Sequence, residues 1–261
     1  DHAGPHTDKP RRSRLPPLPA NFHTDDLPLR PEPVRNNAPH NKRVAQTAGW
    51  TEENWRHYLA AYFHYVDMVD REIGRVLDAV ERRPDARNTI VLCLSDHGEA
   101  MAAHRLVTKA ATFYEETTRI PLIISGPGIP PGRTLRGPLV SVVDLLPTLC
   151  DLAGIETPAP LPGFSLVPLL RGERTLPGRD YVIATWGEPN SPAWARMVRT
   201  PRYKYTRYAA GGEEELYDLE TDPGETRTLI RDRAAAPILR EHRRLLRQFG
   251  RRCADPFPVP A

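Results

Sequence analysis

The chain has 261 residues, with 36 Lys and Arg against 33 Asp and Glu, for a net charge of +3. The two signs are interspersed, which argues against a nucleic-acid binder, and no run approaches the about 18 apolar residues of a membrane span. Three cysteines without a CxxC spacing exclude a disulfide framework or a zinc knuckle.

Residues 1–49 are polar and rich in proline, and read as an extended segment without a core of its own. Leu15 to Phe22 is its expected anchor on a larger surface. The strongest helix follows over 51–82. Thr51 is placed as N-cap, and Trp50 and Trp55 stand at the two positions of a hydrophobic staple. Apolar residues recur at Trp55, Leu59, Tyr62, Val66, Val69, Ile73, Val76 and Val80, one continuous helical face. Phe63 and Leu77 widen that stripe, which favours packing on a sheet over a coiled coil.

Next comes a run from Thr89 to Ser95, apolar and β-rich, of the kind buried on both faces of a parallel sheet. It stops abruptly at Asp96, His97 and Gly98. The crevice beyond the carboxyl ends of such strands is where ligands bind in open α/β sheets, and a carboxylate beside an imidazole suits a divalent metal. On these two residues alone, a helix cap with a surface histidine reads equally well.

Ile120 to Gly126 is a second short strand, and 144–154 is a helix with Asp144 as N-cap, Pro147 in its tolerated first turn and Gly154 closing it. Residues 155–179 are rich in Pro and Gly and look like a boundary. Short strands then follow at Asp180–Trp186, Ala195–Thr200, Arg202–Tyr208 and Leu216–Leu219, ahead of a helix over 234–249. Strands in succession closed by a helix indicate a small antiparallel α+β unit. The arginines around Arg243 and Arg251 read as a solvated helix face rather than a nucleic-acid patch, because Leu245 and Leu246 keep the amphipathic pattern. The organisation expected is an extended segment 1–49, an α/β part 50–175 and a small subdomain 176–261.

Downstream of Asp96 and His97 come His104, Lys109, Phe113-Tyr114-Glu115-Glu116 and the run from Ile120 to Gly128. In that order these motifs closely resemble the sulfatases, a branch of the alkaline-phosphatase superfamily. The resemblance continues through Val143 to Gly154, Gly163 to Leu166, Leu169 to Gly172, Arg202 to Tyr205 and Glu215 to Glu225. It spans roughly residues 15–250. It implies an α/β fold: a sulfatase-like sheet with flanking helices, incomplete here, followed by the small α+β subdomain with its short antiparallel sheet.

The resemblance also implies the chemistry. Sulfatases hold one divalent cation, usually calcium, and Asp96 and His97 match two of its ligands. Lys109 matches the lysine that contacts the sulfate group, and its mobile point charge suits a tetrahedral anion. His104 stands at a position near the leaving group. Glu99 is assigned no role. The substrate implied is a sulfated small molecule or sulfated sugar.

The departures are equally specific. The family nucleophile is a Cys or Ser in a Cys/Ser-x-Pro-x-Arg motif, oxidised to formylglycine. Cys93, Cys150, Cys253 and Ser13 all have other neighbours. The family's early Asp-Asp metal pair has no matching motif, and His6 is the one candidate for its second histidine. The chain, which opens without an initiator Met or signal pattern, therefore reads as the C-terminal part of a sulfatase, inactive by itself, with its missing N-terminal half as a partner and its compartment open. Two alternatives stand beside it: a phosphomonoesterase, phosphodiesterase or phosphonate hydrolase of the same superfamily, and a non-catalytic fragment that binds a sulfated ligand or a partner chain.

Overall fold

The computed structural model describes residues 15–24, 29–36, 47–109, 112–158, 161–176 and 178–259. His6 and Ser13 lie outside the described residues. In chain order the elements are α1 (Glu32–Asn36), α2 (Glu52–Glu81), β1 (Val91–Leu94), α3 (Glu115–Thr118), β2 (Leu122–Ser125), α4 (Leu145–Ala153), α5 (Val167–Arg171), β3 (Val182–Trp186), β4 (Ala195–Arg199), β5 (Tyr203–Tyr208), β6 (Glu214–Asp218) and α6 (Ala236–Cys253). None of the described helices is long and apolar enough to cross a membrane.

α2 begins where its cap chemistry predicts. Thr51 Oγ1 accepts from the Asn54 backbone N–H at 3.3 Å, and Asn54 Oδ1 accepts from the Thr51 N–H at 2.9 Å. Trp50 meets Trp55 edge-on at 5.0 Å. The proline-rich segment is anchored on this end: Arg56 donates to the carbonyls of Pro16 and Leu15, and Phe22 packs against Trp55 at 5.6 Å. Further along, the helix departs from expectation. Beyond Leu59 the apolar stripe is open, with Val69 58% and Val76 62% exposed, and no sheet among the described residues covers it. The strands that would lie beneath it form only a two-stranded sheet among the described residues.

That sheet is also antiparallel rather than parallel, with Val91 opposite Ser125 and Leu94 opposite Leu122. Its strands are half-buried, and Ile123 is exposed, because β1 has β2 as its one neighbour among the described residues. Asp144 corrects a second detail. Its carboxylate does not cap its own helix. It is fully buried, accepts from the Ser141 and Phe164 N–H groups at 2.7 and 2.8 Å, and pairs with Arg179. Gly154 closes α4 in the left-handed conformation, φ 68°, as expected.

The small unit forms a four-stranded antiparallel meander, β3-β4-β5-β6, with Trp186 opposite Ala195, Met197 opposite Thr206 and Tyr205 opposite Leu216. Strand alternation divides it cleanly. One face (Val198, Tyr205, Leu216) packs on Leu245 and Leu246 of α6. The other (Ala195, Met197, Tyr208, Tyr217) packs on Ala100, Leu106, Phe113 and Tyr114. The second contact matters for function, because it seats the loop leaving β1 against a rigid sheet.

Candidate active site

The loop after β1 turns within three residues. Ser95 Oγ donates to the His97 carbonyl at 2.7 Å, and the His97 N–H donates to Asp96 Oδ1 at 3.0 Å. Gly98 then lies backbone against backbone on α3, its N–H donating to the Thr117 carbonyl at 2.9 Å. A Cβ at Gly98 would sit 2.0 Å from the Glu116 carbonyl oxygen, so only glycine fits.

This turn aims two side chains into one place. His97 Nδ1 lies 2.8 Å from the Gly98 carbonyl and must donate to it. The proton is thereby held on Nδ1, and Nε2 keeps its lone pair. Lys109 donates its ammonium to that lone pair. Asp96 Oδ2 is 3.4 Å from the same Nε2. The Asp96 carboxylate is largely exposed, and the His97 N–H, with the Lys109 charge beside it, holds it below the usual carboxylate range. Lys109 Nζ also lies 5.4 Å from the centre of the Trp186 ring, on β3 of the meander.

The Asp96 carboxylate offers the oxygen that a hard cation takes, and His97 Nε2 is a neutral nitrogen donor beside it. Ligands at right angles around a calcium ion, each about 2.3–2.6 Å away, stand about 3.3–3.7 Å from one another. The separation of Asp96 Oδ2 and His97 Nε2 falls in that range. No cluster of three or more His, Cys, Asp or Glu side chains completes such a site among the described residues.

His104 goes elsewhere. It is buried in a turn where Met101, Ala102, His104 and Arg105 all adopt positive φ. Arg30 donates to His104 Nδ1 at 2.8 Å, so this imidazole carries its proton on Nε2, the opposite tautomer to His97. Its ring lies tilted against Tyr114, with 4.3 Å between ring centres. Asp96, His97 and Lys109 are thus brought together, while His104 sits behind them in an interior polar network. Glu99 Oε1 is buried without a hydrogen bond among the described residues.

That network was not legible in the sequence. Glu215, buried on β6, accepts from the hydroxyls of Tyr217, Tyr208 and Tyr114 at 2.8, 3.0 and 3.1 Å, with Arg30 3.6 Å away. Burial, then the Glu215 charge, pushes all three phenols up. Nothing distinguishes Arg30 among so many arginines. Lys204 had one signal, the scarcity of lysine. It is buried, 2.7 Å from Glu115 Oε1 and 3.0 Å from Glu225 Oε1. Burial pushes Glu225 up to about 7, against the pull of Lys204. Burial raises Glu115 as well, but Lys204 and Arg199 outweigh it and hold that carboxyl below its ordinary value.

Asp96, His97, Lys109, Trp186 and Arg199 line one cleft of about 1170 Å³ between the two sheets. Two family models match the chain: "Sulfatase" over residues 22–155 and "N-sulphoglucosamine sulphohydrolase, C-terminal" over 103–251. A Δ4,5-hexuronate-2-O-sulfatase of Bacteroides thetaiotaomicron is 46% identical over 98% of this chain and 54% of its own length. The solved structure of a 2-O GAG sulfatase superposes with a TM-score of 0.88 at 45% identity, covering 99% of this chain and 57% of that one. A phosphonate monoester hydrolase from Silicibacter pomeroyi superposes with a TM-score of 0.75 at 27% identity, covering 90% and 50%. The chain spans about half the length of these proteins.

Proposed function

The chain belongs to the sulfatase family, and from that membership we propose that the protein carrying it hydrolyses the sulfate ester of an acidic sugar, with Asp96, His97 and Lys109 as the part of the active site supplied here. The observation that carries this reading is the convergence of those three side chains at the end of β1, with His97 held in the tautomer that offers Nε2. The residue assignments, the metal and the substrate are our proposals.

Asp96, ionised at neutral pH, and His97 Nε2 would be two ligands of a calcium ion. When bound, that ion would stabilise negative charge on the sulfate oxygens. The Gly98 carbonyl orients the imidazole, and the Gly98–Thr117 hydrogen bond keeps the loop seated on α3. Lys109 would place its ammonium on the sulfate group, steadied by the face of Trp186. His104 would act from behind, its backbone N–H donating to the Asn21 carbonyl and its Nδ1 accepting from Arg30, which holds the turn ahead of Lys109. The sugar assignment is supported by the relative's own name, a hexuronate 2-O-sulfatase.

The formylglycine nucleophile has no Cys/Ser-x-Pro-x-Arg counterpart in these 261 residues. The purified chain is therefore expected to turn over no aryl sulfate in the presence of calcium. Robust turnover that disappears in Lys109→Ala would overturn that expectation. Calcium titration gives a readout without catalysis: weak binding, abolished by His97→Ala. Tight binding by the chain alone would contradict a two-ligand half-site. The likeness to a phosphonate monoester hydrolase favours one rival. Sulfate and phosphonate esters of the same leaving group, compared in a protein that contains this chain and the nucleophile, separate the two.

A further inference from the structure

Besides Lys109, the cleft is lined by Arg119, Arg133, Arg136 and Arg199, and we propose that Arg199, which shares a wall with Trp186, binds the carboxylate of the acidic sugar whose sulfate is held at Lys109. This rests on the sulfatase reading above and extends it to the other end of the substrate. Arg199 and Trp186 share one face of the β3–β4 pair. Trp186 lies opposite Ala195, Arg199 lies opposite Val182, and Ala184 with Met197 fill the register between. Four residues separate the two positions along the strands, about 13 Å. Lys109 sits over Trp186. The two cations therefore mark the two ends of one wall, and both line the same cleft.

The chemistry of each end is distinct. A lysine is a mobile point charge and suits a tetrahedral sulfate. An arginine is a planar fork and suits a planar carboxylate. In a hexuronate ring the carbons bearing a 2-O-sulfate and the carboxylate stand across the ring from each other. A ring bridging the wall would present one anion to each cation.

Arg199 is also available. Its Nε lies 3.4 Å from Glu115 Oε1 and its Nη1 donates to the Thr200 carbonyl, while Nη2 makes no hydrogen bond among the described residues. Glu115 does not cancel the guanidinium charge, because it is shared with Lys204. Two cations, Arg199 and Lys204, face two carboxylates, Glu115 and Glu225. Burial keeps Glu225 partly protonated near neutral pH. The cluster is left with net positive charge at the cleft.

The test is binding, measured calorimetrically on the full 261-residue chain. The probes are a 2-O-sulfated Δ4,5-hexuronate, the same sugar with its carboxylate reduced to an alcohol, and inorganic sulfate. Arg199→Gln is expected to weaken the sulfated uronate by about 10- to 100-fold and to leave the other two within about twofold. Arg199→Lys, which keeps the charge but not the fork, should fall in between. Lys109→Ala should weaken all three. If Arg199→Gln weakens every probe equally, or none, the inference is wrong while the sulfate site stands. If Lys109→Ala changes nothing, the sulfatase reading of the cleft fails, whatever Arg199 does. If the native chain binds none of the probes, both are overturned.

Discussion

At Gly98 the chain has no room for a methyl group, since its Cβ would lie 2.0 Å from a backbone oxygen of α3 that cannot step aside cheaply. Gly98→Ala is expected to destabilise the fold by about 2–4 kcal/mol, read in a denaturant-unfolding midpoint, and to weaken calcium binding because the turn aims Asp96 and His97. At Glu225 the consequence is a pH dependence. Its carboxyl titrates at about 7 in the folded chain against an ordinary 4.5, so the folded state holds an extra proton between those values. Its contribution to stability is complete below pH 4.5 and is lost as pH rises through 7. Glu115, held low, acts in the opposite sense and loses stability only as pH falls below the ordinary carboxylate range. Glu225→Gln should therefore flatten the decline between pH 5 and 8, on the order of 2–3 kcal/mol, in thermal unfolding across that range. An unchanged slope would remove Glu225 as its cause.

Among the elements, α2 is the most uneven. Its first turns are capped and stapled, and its later turns present an open apolar stripe. Leu59→Ala should cost about 2–5 kcal/mol, because Leu59 is packed with Phe22, Trp55 and Ala102. Ile73→Ala, on the same stripe about four turns on, should stay within about 0.5 kcal/mol. Chemical denaturation of the two variants side by side checks this, and an equal cost would mean the stripe is covered. The helix, its cap and its staple were all legible, since period and cap chemistry are local. Its partner was not, because an apolar stripe states that something should cover it and not what does. The same limit applies to β1: its apolar run marked a strand, but pairing direction and burial depend on neighbours distant in sequence.

The whole molecule is tied together through one buried carboxylate. Glu215 on β6 gathers three tyrosine hydroxyls and the Arg30 guanidinium, and Arg30 continues to His104 and the Glu225 carbonyl. The proline-rich segment, the turn before Lys109 and the meander thus share one set of hydrogen bonds. Removing Glu215 would take away the carboxylate beside the buried Arg30 guanidinium and the shared acceptor of three phenols, so Glu215→Ala is expected to cost about 3–5 kcal/mol. Limited proteolysis should then cut the segment around Arg30 faster than in the native chain. Retained protection would show that the segment is held by its apolar anchors alone.

Asp96, His97, Lys109 and the order of motifs around them were legible because each is a local pattern: an apolar run broken by an aspartate and a histidine, a rare lysine, turns marked by glycine and proline. The antiparallel meander and its closing helix were legible by the same route, through strand and helix periods. Tertiary structure alone decided the proton position on His97, the burial of His104 against Arg30 and Tyr114, and the meeting of Arg199 with Glu115 in the cleft of Lys109. Those depend on distances between residues as many as 84 apart in the chain, which periodicity and residue type do not encode.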